Sequence, residues 1–397
     1  MIGRRTVVWL GLSQLVCWGI TYYLIGALGE LIAADLGWSR SAVYGGFSAA
    51  LLVMGLASPL VGRLIDRYGG RLVMALGSVL IALGCLALAM VHELWTYYAA
   101  WVLLGLAMRC TLYDAAFAAL ARIGGPQARR PISQITLLGG LASTVFWPIT
   151  HALAEHFGWR GAVLAYVGVA LLTIPLHLAI PGARYGDRPA GHVAERPHLA
   201  QSRPDRLLAG SLYALIVTLT NVLNSGMSAH MIGILSGLGL AASVAVWVAT
   251  LRGIGQSSAR LCEVLFGGRL SPLILNLLAA SALPFCFAAG LFSGKVIAAA
   301  IAFALVYGAG NGLLTITRGT LPLVLFDHRT YGALVGRLLV PSFLLSAVAP
   351  LGFALVIEQL GDASALIAVF RYQLGTLPLL AASVAAGLLL RLAGALP

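Results

Sequence analysis

Apolar runs of about 20 residues fill this chain, and short charged connections separate them. Each run is as long as an α-helix must be to cross the hydrocarbon core of a lipid bilayer. Hydrophobic residues occupy 60% of the 397 positions and charged residues 10%, whereas a soluble protein of this length is about 25% charged. The chain is therefore predicted to be an all-α membrane protein.

Twelve transmembrane helices can be placed on this pattern, in two six-helix bundles. They lie near residues 7–29, 41–61, 72–91, 95–121, 132–154 and 160–180, and then near 207–230, 239–259, 271–291, 296–325, 332–357 and 363–390. A stretch rich in proline and arginine separates the two halves, which is typical of a solvated loop. We predict an N-terminal bundle at 1–180, a cytoplasmic linker at 181–206 and a C-terminal bundle at 207–397.

Two internal repeats relate the halves to each other. The stretch GRLIDRYGGRL at 62–72 returns in degraded form as RLCEVLFGGRL at 260–270, and ALAEHFG at 152–158 resembles ALVIEQLG at 354–361. Two pseudo-symmetric six-helix copies joined by a linker are a transporter architecture, with a binding site expected near the membrane midplane between them.

The charges are distributed unevenly between alternate connections. Arginines cluster at 4–5, 63–71, 122–130, 184–206 and 260–269, whereas the intervening connections carry acidic residues and few arginines. This positive-inside pattern puts both termini in the cytoplasm, and we expect a multi-pass protein of a bacterial inner membrane. The same placement accounts for the formal net charge of +12, so nucleic acid is not an expected partner.

The stretch at 62–71 fits the pattern G-x-L-x-D-R-x-G-x-R, and it resembles the loop signature of the major facilitator superfamily. That resemblance implies two bundles that rock about a central cavity lined by helices one, four, seven and ten. It also implies a latch on the cytoplasmic side. The candidate gating residues in the two copies of this stretch are Gly62, Asp66, Arg67, Gly69, Arg71, Arg260 and Glu263. The second copy has Val264 in place of Arg67 and one extra residue, so we expect an asymmetric gate.

A finer resemblance is to the monocarboxylate and oxalate/formate branch of that superfamily. LGWS at 36–39, SPLVG at 58–62 and Ala229-His230 at the end of span seven carry it. It implies transport of small organic anions, often with a proton. The chain departs from the branch because an acidic-glycine-tryptophan signature before span one is missing, and because Arg252 in span eight lacks the acidic partner of the branch. The arginine that often lies in span four falls on Trp101 here.

The candidate substrate-binding residues recur at helical spacing inside the spans, where polar groups are costly to expose to lipid. They are Gln14, Trp18, Tyr22, Arg109, Tyr113, Trp147, Asn221, Asn224, Arg252, Gln256, Asn311, Thr315 and Arg318. Arg252 and Gln256 share one helix face with the gating residues Arg260 and Glu263, within an arc of about 80°. Arg252 is near mid-depth, where we expect either substrate contact or a structural ion pair. The alternatives elsewhere are helix–helix hydrogen bonds for the amides of span seven, headgroup contact for Arg318 and packing for the aromatic residues.

Span four carries two ionisable residues, Arg109 and Asp114, which are five positions and about 140° apart on a helix. They therefore cannot pair within a continuous helix. We expect Arg109 to face the cavity together with Tyr113. Asp114 is then a candidate proton carrier, since a buried carboxyl group can load and unload a proton near neutral pH, or a partner of the charged loop.

These features predict a secondary active transporter that moves a small organic solute by alternating access, with a proton as the candidate coupling ion. Arginines outnumber Asp114 at membrane depth, which favours an organic anion such as a carboxylate. The alternative is a proton-driven exporter of amphipathic or drug-like compounds, with an aromatic site at Trp18, Trp147 and Tyr113. A third hypothesis is a membrane sensor that binds without transporting; it would need an added signalling segment, which we do not expect.

Motifs for chemistry are missing from the sequence. There is no G-x-x-x-x-G-K-[ST] loop for ATP, no histidine pair at zinc-binding spacing and no serine nucleophile in a strand-turn-helix setting. We therefore expect no enzymatic activity, no cofactor and no metal. The predicted partners are a small-molecule substrate, a coupling proton and the lipid bilayer, and the chain is expected to act as a monomer.

Overall fold

The computed structural model describes residues 2–185, 198–266 and 270–361, and of the last segment 363–364, 366–369 and 371–372. Regular structure in these residues is entirely helical. The helices are α1 Arg4–Cys17, α2 Leu24–Leu36, α3 Arg40–Tyr68, α4 Gly70–Ala89, α5 Leu94–Thr111, α6 Tyr113–Gly124, α7 Arg129–Gly139, α8 Ala142–Leu178, α9 Arg203–Gly237, α10 Ala242–Phe266, α11 Pro272–Gly290, α12 Ile297–Leu325, α13 Tyr331–Leu338 and α14 Val340–Leu360. A π-helical turn, Trp18–Tyr22, follows α1, and short 3-10 turns occupy Gly125–Ala128 and His328–Thr330.

Eight helical runs among the described residues are long and apolar enough to cross a membrane. They are Arg4–Gly29, Ser41–Tyr68, Gly70–Ala89, Leu94–Leu178, Arg203–Ser228, Pro272–Gly290, Ile297–Leu325 and His328–Ala349. Together they contain ten of the predicted spans, because the longest run, of 85 residues, holds three in succession. Helix α10, the predicted span eight, is outside this group because its polar stripe makes it less apolar, and most of span twelve lies outside the described residues. The all-α membrane fold is thus confirmed, and the count of twelve helices stays a prediction.

Two predicted spans are broken in the middle, and the expectation of continuous helices there was wrong. Span four ends its first part at Thr111, passes through an extended Leu112 (φ −76°, ψ −174°) and resumes at Tyr113. The Ala115 amide, which would bond to the Thr111 carbonyl in a continuous helix, donates to the Leu112 carbonyl instead (3.0 Å). Span five breaks after α7, at a pair of glycines, which are weak helix formers.

Local signals set several helix ends. Gly69 follows α3 with φ +88°, and Gly158 has φ +68° between the parts of α8 that correspond to predicted spans five and six. Glycine adopts such positive φ values without the strain that other residues suffer. Helix α9 begins with a reciprocal capping box in which the Ser202 side chain accepts from the Asp205 amide. The turn expected at Gly267–Gly268 in the second repeat lies outside the described residues.

The chain divides into two compact units. The first comprises Met1–Ala194 and Asp327–Val340, and the second comprises Glu195–Phe326 and Pro341–Pro397. Segment Asp327–Val340, most of which the sequence pattern assigns to span eleven of the C-terminal bundle, thus groups with the first unit. The predicted boundaries of the bundles and the linker stay predictions.

Helix α13 lies against α3 in the first unit at a contact that only glycine permits. A Cβ atom added to Gly62 would lie 1.9 Å from the Gly332 carbonyl oxygen, and one added to Gly336 would lie 2.4 Å from the Ser58 carbonyl oxygen. Membrane helices associate through close van der Waals packing, because lipid provides no hydrophobic driving force between them. The spacing of four residues on each helix, 58 to 62 and 332 to 336, therefore fixes the register of α13 on α3.

Substitution of Gly62 with alanine should destabilise the first unit. The added methyl group has no space at the Gly332 carbonyl, and overpacking of this kind costs about 1–3 kcal/mol. We expect a loss of a few degrees in the apparent Tm of the detergent-solubilised protein. Gly168→Ala is the matched control, because a Cβ at that helical position meets no atom within 4 Å. Equal Tm values for the two variants would contradict the close contact.

Candidate functional site

Arg252 is at the centre of the polar cluster in the second unit. It lies ten residues into α10, so it is about 15 Å along a helix that is long enough to span the bilayer. Its Nη2 donates to Asn224 Oδ1 at 2.5 Å and to Ser228 Oγ at 3.0 Å, both on α9. The guanidinium carbon also lies 5.0 Å from the centre of the Tyr307 ring on α12. The predicted polar faces of spans seven, eight and ten thus meet at Arg252.

Close packing of α10 on α12 holds this arginine in place. A Cβ on Gly308 would be 2.0 Å from the Arg252 carbonyl oxygen, and one on Gly312 would be 2.7 Å from that of Gln256. The two backbones can therefore approach only because α12 carries glycine at these positions. Tyr307, next to Gly308, is buried (1% exposed), and its ring forms a fixed surface beneath the guanidinium group.

The partners of Arg252 are neutral. No ion pair among the described residues includes it. The one carboxylate on its own helix is Glu263, eleven residues further along, or about 16 Å. An arginine without a partner at the centre of a membrane helix costs about 2.5–3.5 kcal/mol on insertion scales. Two hydrogen-bond acceptors and an aromatic face reduce that cost, but they do not neutralise the charge.

The polar face of α10 comprises Arg252, Gln256, Arg260 and Glu263, and its C-terminal part is buried. With the Gln256 amide oriented so that its oxygen faces Arg260, the oxygen accepts from Nη1 (3.2 Å) and Nη2 (2.5 Å) of that arginine. Arg260 is 1% exposed and Glu263 is 8% exposed. The helical spacing correctly predicted that the stripe turns away from lipid. Gln256 is close to Arg260 rather than to Arg252, so its assignment to substrate binding stays a prediction.

The other candidates in the second unit take part mainly in helix–helix contacts. Asn221 donates to Ser342 Oγ (2.6 Å) on α14, which fits the structural alternative for the amides of span seven. The Thr315 hydroxyl donates to the Asn311 carbonyl (2.9 Å) on the same helix. The guanidinium carbon of Arg318 lies 5.5 Å from the centre of the Phe343 ring. Substrate contact by these residues stays a prediction.

Aromatic side chains form the main candidate cluster of the first unit. The Trp18 ring centre lies 4.8 Å from that of Tyr22 and 4.9 Å from that of Tyr113, and Tyr113 stacks on Phe117 at 5.5 Å. Trp18 and Tyr22 are the first and last residues of the π-helical turn, and such turns occur often at functional sites. Trp147 is 49% exposed, and it reaches this cluster through Tyr23, whose ring centre lies 6.0 Å from that of Trp147 and 6.1 Å from that of Trp18.

Gln14 supports the broken span four. It is fully buried, and its Nε2 donates to the Thr111 carbonyl (2.7 Å), which is the carbonyl that loses its helical partner at Leu112. The side chain thus satisfies a backbone acceptor inside the membrane, where an unsatisfied group is costly. This contact supports the backbone of span four, and the role of Gln14 in substrate binding stays a prediction.

Arg109 is buried inside the first unit. It is 2% exposed, and it donates to Ser58 through Nε to Oγ (2.9 Å) and through Nη2 to the carbonyl oxygen (3.3 Å). The expectation that Arg109 lies on one helix face with Tyr113 was wrong, because the break at Leu112 interrupts the helix between them; substrate contact by Arg109 stays a prediction. Arg109 instead supports the part of α3 on which Gly336 packs.

Asp114, the candidate proton carrier, is in the first turn of α6 and is 8% exposed. A carboxylate is favourable there because the first backbone N–H groups of a helix point towards it. The break at Leu112, which divides span four, thus puts Asp114 at the start of a helix. Its role in proton coupling stays a prediction.

The N-terminus of α13 holds Asp66 of the charged stretch. Its two carboxylate oxygens accept from the backbone amides of Gly332 (2.9 Å) and Ala333 (2.7 Å) in the first turn of α13. These amides have no partner within the helix, and the helix dipole favours a negative charge at this end. Arg122 donates to the Asp66 carbonyl (3.1 Å) and to the Gly182 carbonyl (3.0 Å), so the stretch is also tied to the segment that follows α8.

The remaining residues of the stretch are divided between exposed and buried positions. Arg67 and Arg71 are exposed, and Arg67 lies over the Tyr68 ring (5.1 Å). Gly62 and Gly69 are buried at the α13 contact and at the end of α3, respectively. The sequence predicted that Asp66 belongs to a latch, but it carried no signal that identified α13 as the helix it contacts.

One buried polar cluster in the first unit contains none of the residues predicted from the sequence. His177 Nδ1 lies 2.8 Å from Ser78 Oγ, which in turn lies 2.7 Å from Thr173 Oγ1, all fully or almost fully buried between α4 and α8. The pair Thr173 and His177 has the spacing of one helical turn, which was a usable signal. Among the described residues, no group of three or more histidines, cysteines or acidic residues could hold a metal ion.

Comparison with known proteins identifies the family. The model of the Major Facilitator Superfamily matches residues 10–350. The chain belongs to the major facilitator superfamily. Members of this superfamily are membrane transporters rather than enzymes, and the resemblance of the stretch at 62–71 is confirmed.

The relatives within the superfamily differ in what their names say they transport. Human monocarboxylate transporter 6 is 32% identical over 135 residues, which are 33% of this chain and 25% of that protein. Multidrug resistance protein MdtL of Shigella flexneri serotype 5b is 29% identical over 165 residues, which are 40% of this chain and 41% of that protein. The matches thus span less than half of either relative, and the substrates are not transferred with them.

A solved structure supports the fold over nearly the whole chain. The proton:xylose symporter XylE, solved with 6-bromo-6-deoxy-D-glucose bound, matches with a TM-score of 0.72 and 12% identity, over 97% of this chain and 94% of XylE. At this identity the likeness shows the fold alone.

Asp66→Asn should loosen the start of α13 far more than Glu263→Gln does. Asparagine keeps one acceptor oxygen, loses the charge and turns an N–H group towards the amides, and a hydrogen bond to a charged group contributes about 1.5–3 kcal/mol. Hydrogen–deuterium exchange of the 327–340 peptide should rise in Asp66→Asn and stay unchanged in Glu263→Gln. Comparable loss of transport in both variants, at equal expression, would contradict the predicted asymmetry of the gate.

Proposed function

We propose that this transporter moves a small organic anion, with a carboxylate as the leading candidate. The observation that carries the proposal is the charge of Arg252, which lies at membrane depth and has only neutral partners among the described residues. An arginine in such a place is a functional site by default. Part of its side chain is still exposed, so a solute can reach it.

The geometry of Arg252 suits a carboxylate. Nη2 is occupied by Asn224 and Ser228, while the other N–H groups of the guanidinium donate to none of the described side chains. The Nη1–H groups are thus available for a charge-assisted hydrogen bond to a carboxylate oxygen, and a second, bidentate contact would require the solute to replace Asn224 or Ser228 at Nη2. The Tyr307 ring and the α9 contacts restrict rotation of the guanidinium plane, so the donors are oriented before the solute binds.

The aromatic cluster of the first unit is a separate candidate surface for a planar solute. Trp18 and Tyr22 offer flat apolar surfaces, on which an aromatic or otherwise planar group can stack. Asp114 is the proposed carrier of a coupling proton. We further propose that the protein lies in a bacterial inner membrane with both termini in the cytoplasm, as the distribution of arginines indicates, and that it acts as a monomer.

Counterflow in proteoliposomes tests the substrate class. A panel of carboxylates, amines and neutral sugars should show exchange of carboxylates only, and Arg252→Gln should reduce that exchange at least ~10-fold because the guanidinium contacts are lost. Arg206→Gln is the control, since it removes the same charge from the exposed first turn of α9 in the same unit. Uptake of only amines or sugars would overturn the anion proposal, and full activity of Arg252→Gln would overturn the assignment of the residue.

A second candidate is a proton-driven exporter of amphipathic compounds. The aromatic contacts between Trp18, Tyr22 and Tyr113 favour it, and so does the similarity to MdtL. In this case Asp114→Asn should abolish export of a lipophilic dye from energised vesicles, while Arg252→Gln leaves it unchanged. The reverse pattern, loss with Arg252→Gln alone, would exclude this candidate. Specific binding of a solute with no flux in any assay would instead favour the sensor hypothesis.

A further inference from the structure

We propose that residues 182–185 form a strap that closes over the connection between α12 and α13 and strengthens the attachment of α13 within the first unit. The connection is the segment 327–330, and the attachment is the pair of hydrogen bonds from the Gly332 and Ala333 amides to Asp66. The strap is the start of the predicted linker, so a change in the linker would act on the α13 attachment. This role is independent of the solute that is transported.

Arg122 anchors both ends of the strap. Its Nη1 donates to the Gly182 carbonyl (3.0 Å), and its own carbonyl accepts from the Tyr185 amide (2.8 Å). The same guanidinium group donates through Nε to the Asp66 carbonyl (3.1 Å). Arg122 is in the last turn of α6. One residue of a regular helix therefore fixes both the strap and the residue that binds α13.

A glycine makes room for the Tyr185 ring. A Cβ atom added to Gly125 would lie 2.7 Å from Cδ1 and 2.9 Å from Cγ of Tyr185. Gly125 also has φ +51°, a conformation that strains residues with a side chain. The ring thus lies directly against the backbone at the start of the turn Gly125–Ala128. Its position is set by this contact together with the hydrogen bond from its own amide to Arg122.

The strap also contacts the connection that leads into α13. The Tyr185 ring meets the His328 ring edge to face, with 4.9 Å between the ring centres and an angle of 87°. Arg184 Nη2 donates to the Arg329 carbonyl at a longer distance, 3.4 Å. The His328 side chain is only 12% exposed, although Arg329 and Thr330 beside it are exposed. The strap therefore covers one side of the connection.

The start of α13 is thus held at two places. Asp66 binds the amides of Gly332 and Ala333, and the strap holds His328 and Arg329 a few residues earlier in the chain. Both attachments meet at Arg122. Contacts that belong to one network are energetically coupled, so loss of one attachment should weaken the other.

The contact between the strap and the connection joins distant parts of the chain. Arg184 and Arg329 are 145 residues apart, and closing such a loop costs conformational entropy. A contact of this kind is stable when its geometry is fixed beforehand, and Arg122 and Gly125 fix the strap in this way. Because the chain continues from Tyr185 into the predicted linker, tension in the linker would reach α13 through this ring.

Hydrogen–deuterium exchange of the 327–340 peptide in the full-length, detergent-solubilised protein tests the strap. Tyr185→Ala removes the ring from His328, and deuterium uptake by this peptide should become about 2- to 10-fold faster. Tyr185→Phe keeps the ring and should match the wild type. Tyr68→Ala is a second control, because it removes an exposed tyrosine from the end of α3 in the same unit. Unchanged uptake in Tyr185→Ala, or an equal rise in Tyr68→Ala, would overturn the proposal.

A double-mutant cycle tests whether the strap and Asp66 act together. Deuterium uptake by the same peptide is compared in Tyr185→Ala, Asp66→Asn and the double variant. If the two attachments are coupled, the double variant should be accelerated by less than the product of the two single factors. Factors that simply multiply would show that the strap and Asp66 hold α13 independently, and would overturn the coupling.

Transport provides the functional measurement. Counterflow of a radiolabelled carboxylate is compared in proteoliposomes with equal amounts of each variant. Tyr185→Ala should change the counterflow rate at least ~2-fold, in the same direction as Asp66→Asn, because both loosen α13. Tyr185→Phe should keep the wild-type rate. A wild-type rate in Tyr185→Ala, or a change opposite to that of Asp66→Asn, would overturn the role of the strap in transport. Absence of carboxylate flux in the wild type would overturn the proposed function, while deuterium uptake would still decide on the strap.

Discussion

A positive charge within a membrane protein must be hydrated, paired or held by oriented dipoles, and this requirement organises both units of the transporter. Arg252 is held by an amide oxygen, a hydroxyl group and an aromatic face. Arg109 is held by the hydroxyl and carbonyl oxygens of Ser58. Neutral acceptors reduce the desolvation penalty but leave the charge itself. A charge that remains after folding would attract a solute of opposite sign, and the proposal of an anionic substrate rests on this incomplete compensation.

The second requirement is close approach of helices, and glycine provides it at both key places. Gly308 lets α12 pack against the α10 backbone at Arg252, and Gly62 and Gly336 let α13 pack against α3. In each case the contact orients a charged group nearby: the guanidinium of Arg252 over Tyr307, and the carboxylate of Asp66 at the start of α13. Packing and electrostatics are therefore coupled. A methyl group at one of these glycines would displace the charge as well as the helix.

Much of the site could be predicted because membrane helices leave a strong periodic signal. Spacing of three and four residues indicated that Asn224 and Arg252 lie on inward faces, and the structure brings them together. The same reasoning failed for Arg109 and Tyr113, because it assumed a continuous helix through Leu112. The break is stabilised by Gln14, which is 97 residues away in sequence from Thr111. A local pattern cannot show that a distant side chain replaces a lost backbone hydrogen bond.

The sequence by itself determined that this protein lies in a lipid bilayer and which superfamily it belongs to. Long apolar runs require a bilayer, and the stretch at 62–71 indicates the superfamily, since both are local properties of the chain. The orientation that follows from the alternating charges stays a prediction. The tertiary structure alone decided which groups are paired. Asp66 meets the amides of Gly332 and Ala333, which lie some 266 residues further along, and Arg252 meets Asn224 rather than a carboxylate. Backbone amides look the same in every sequence, and whether they are occupied depends on which helix end the fold places beside the acidic group.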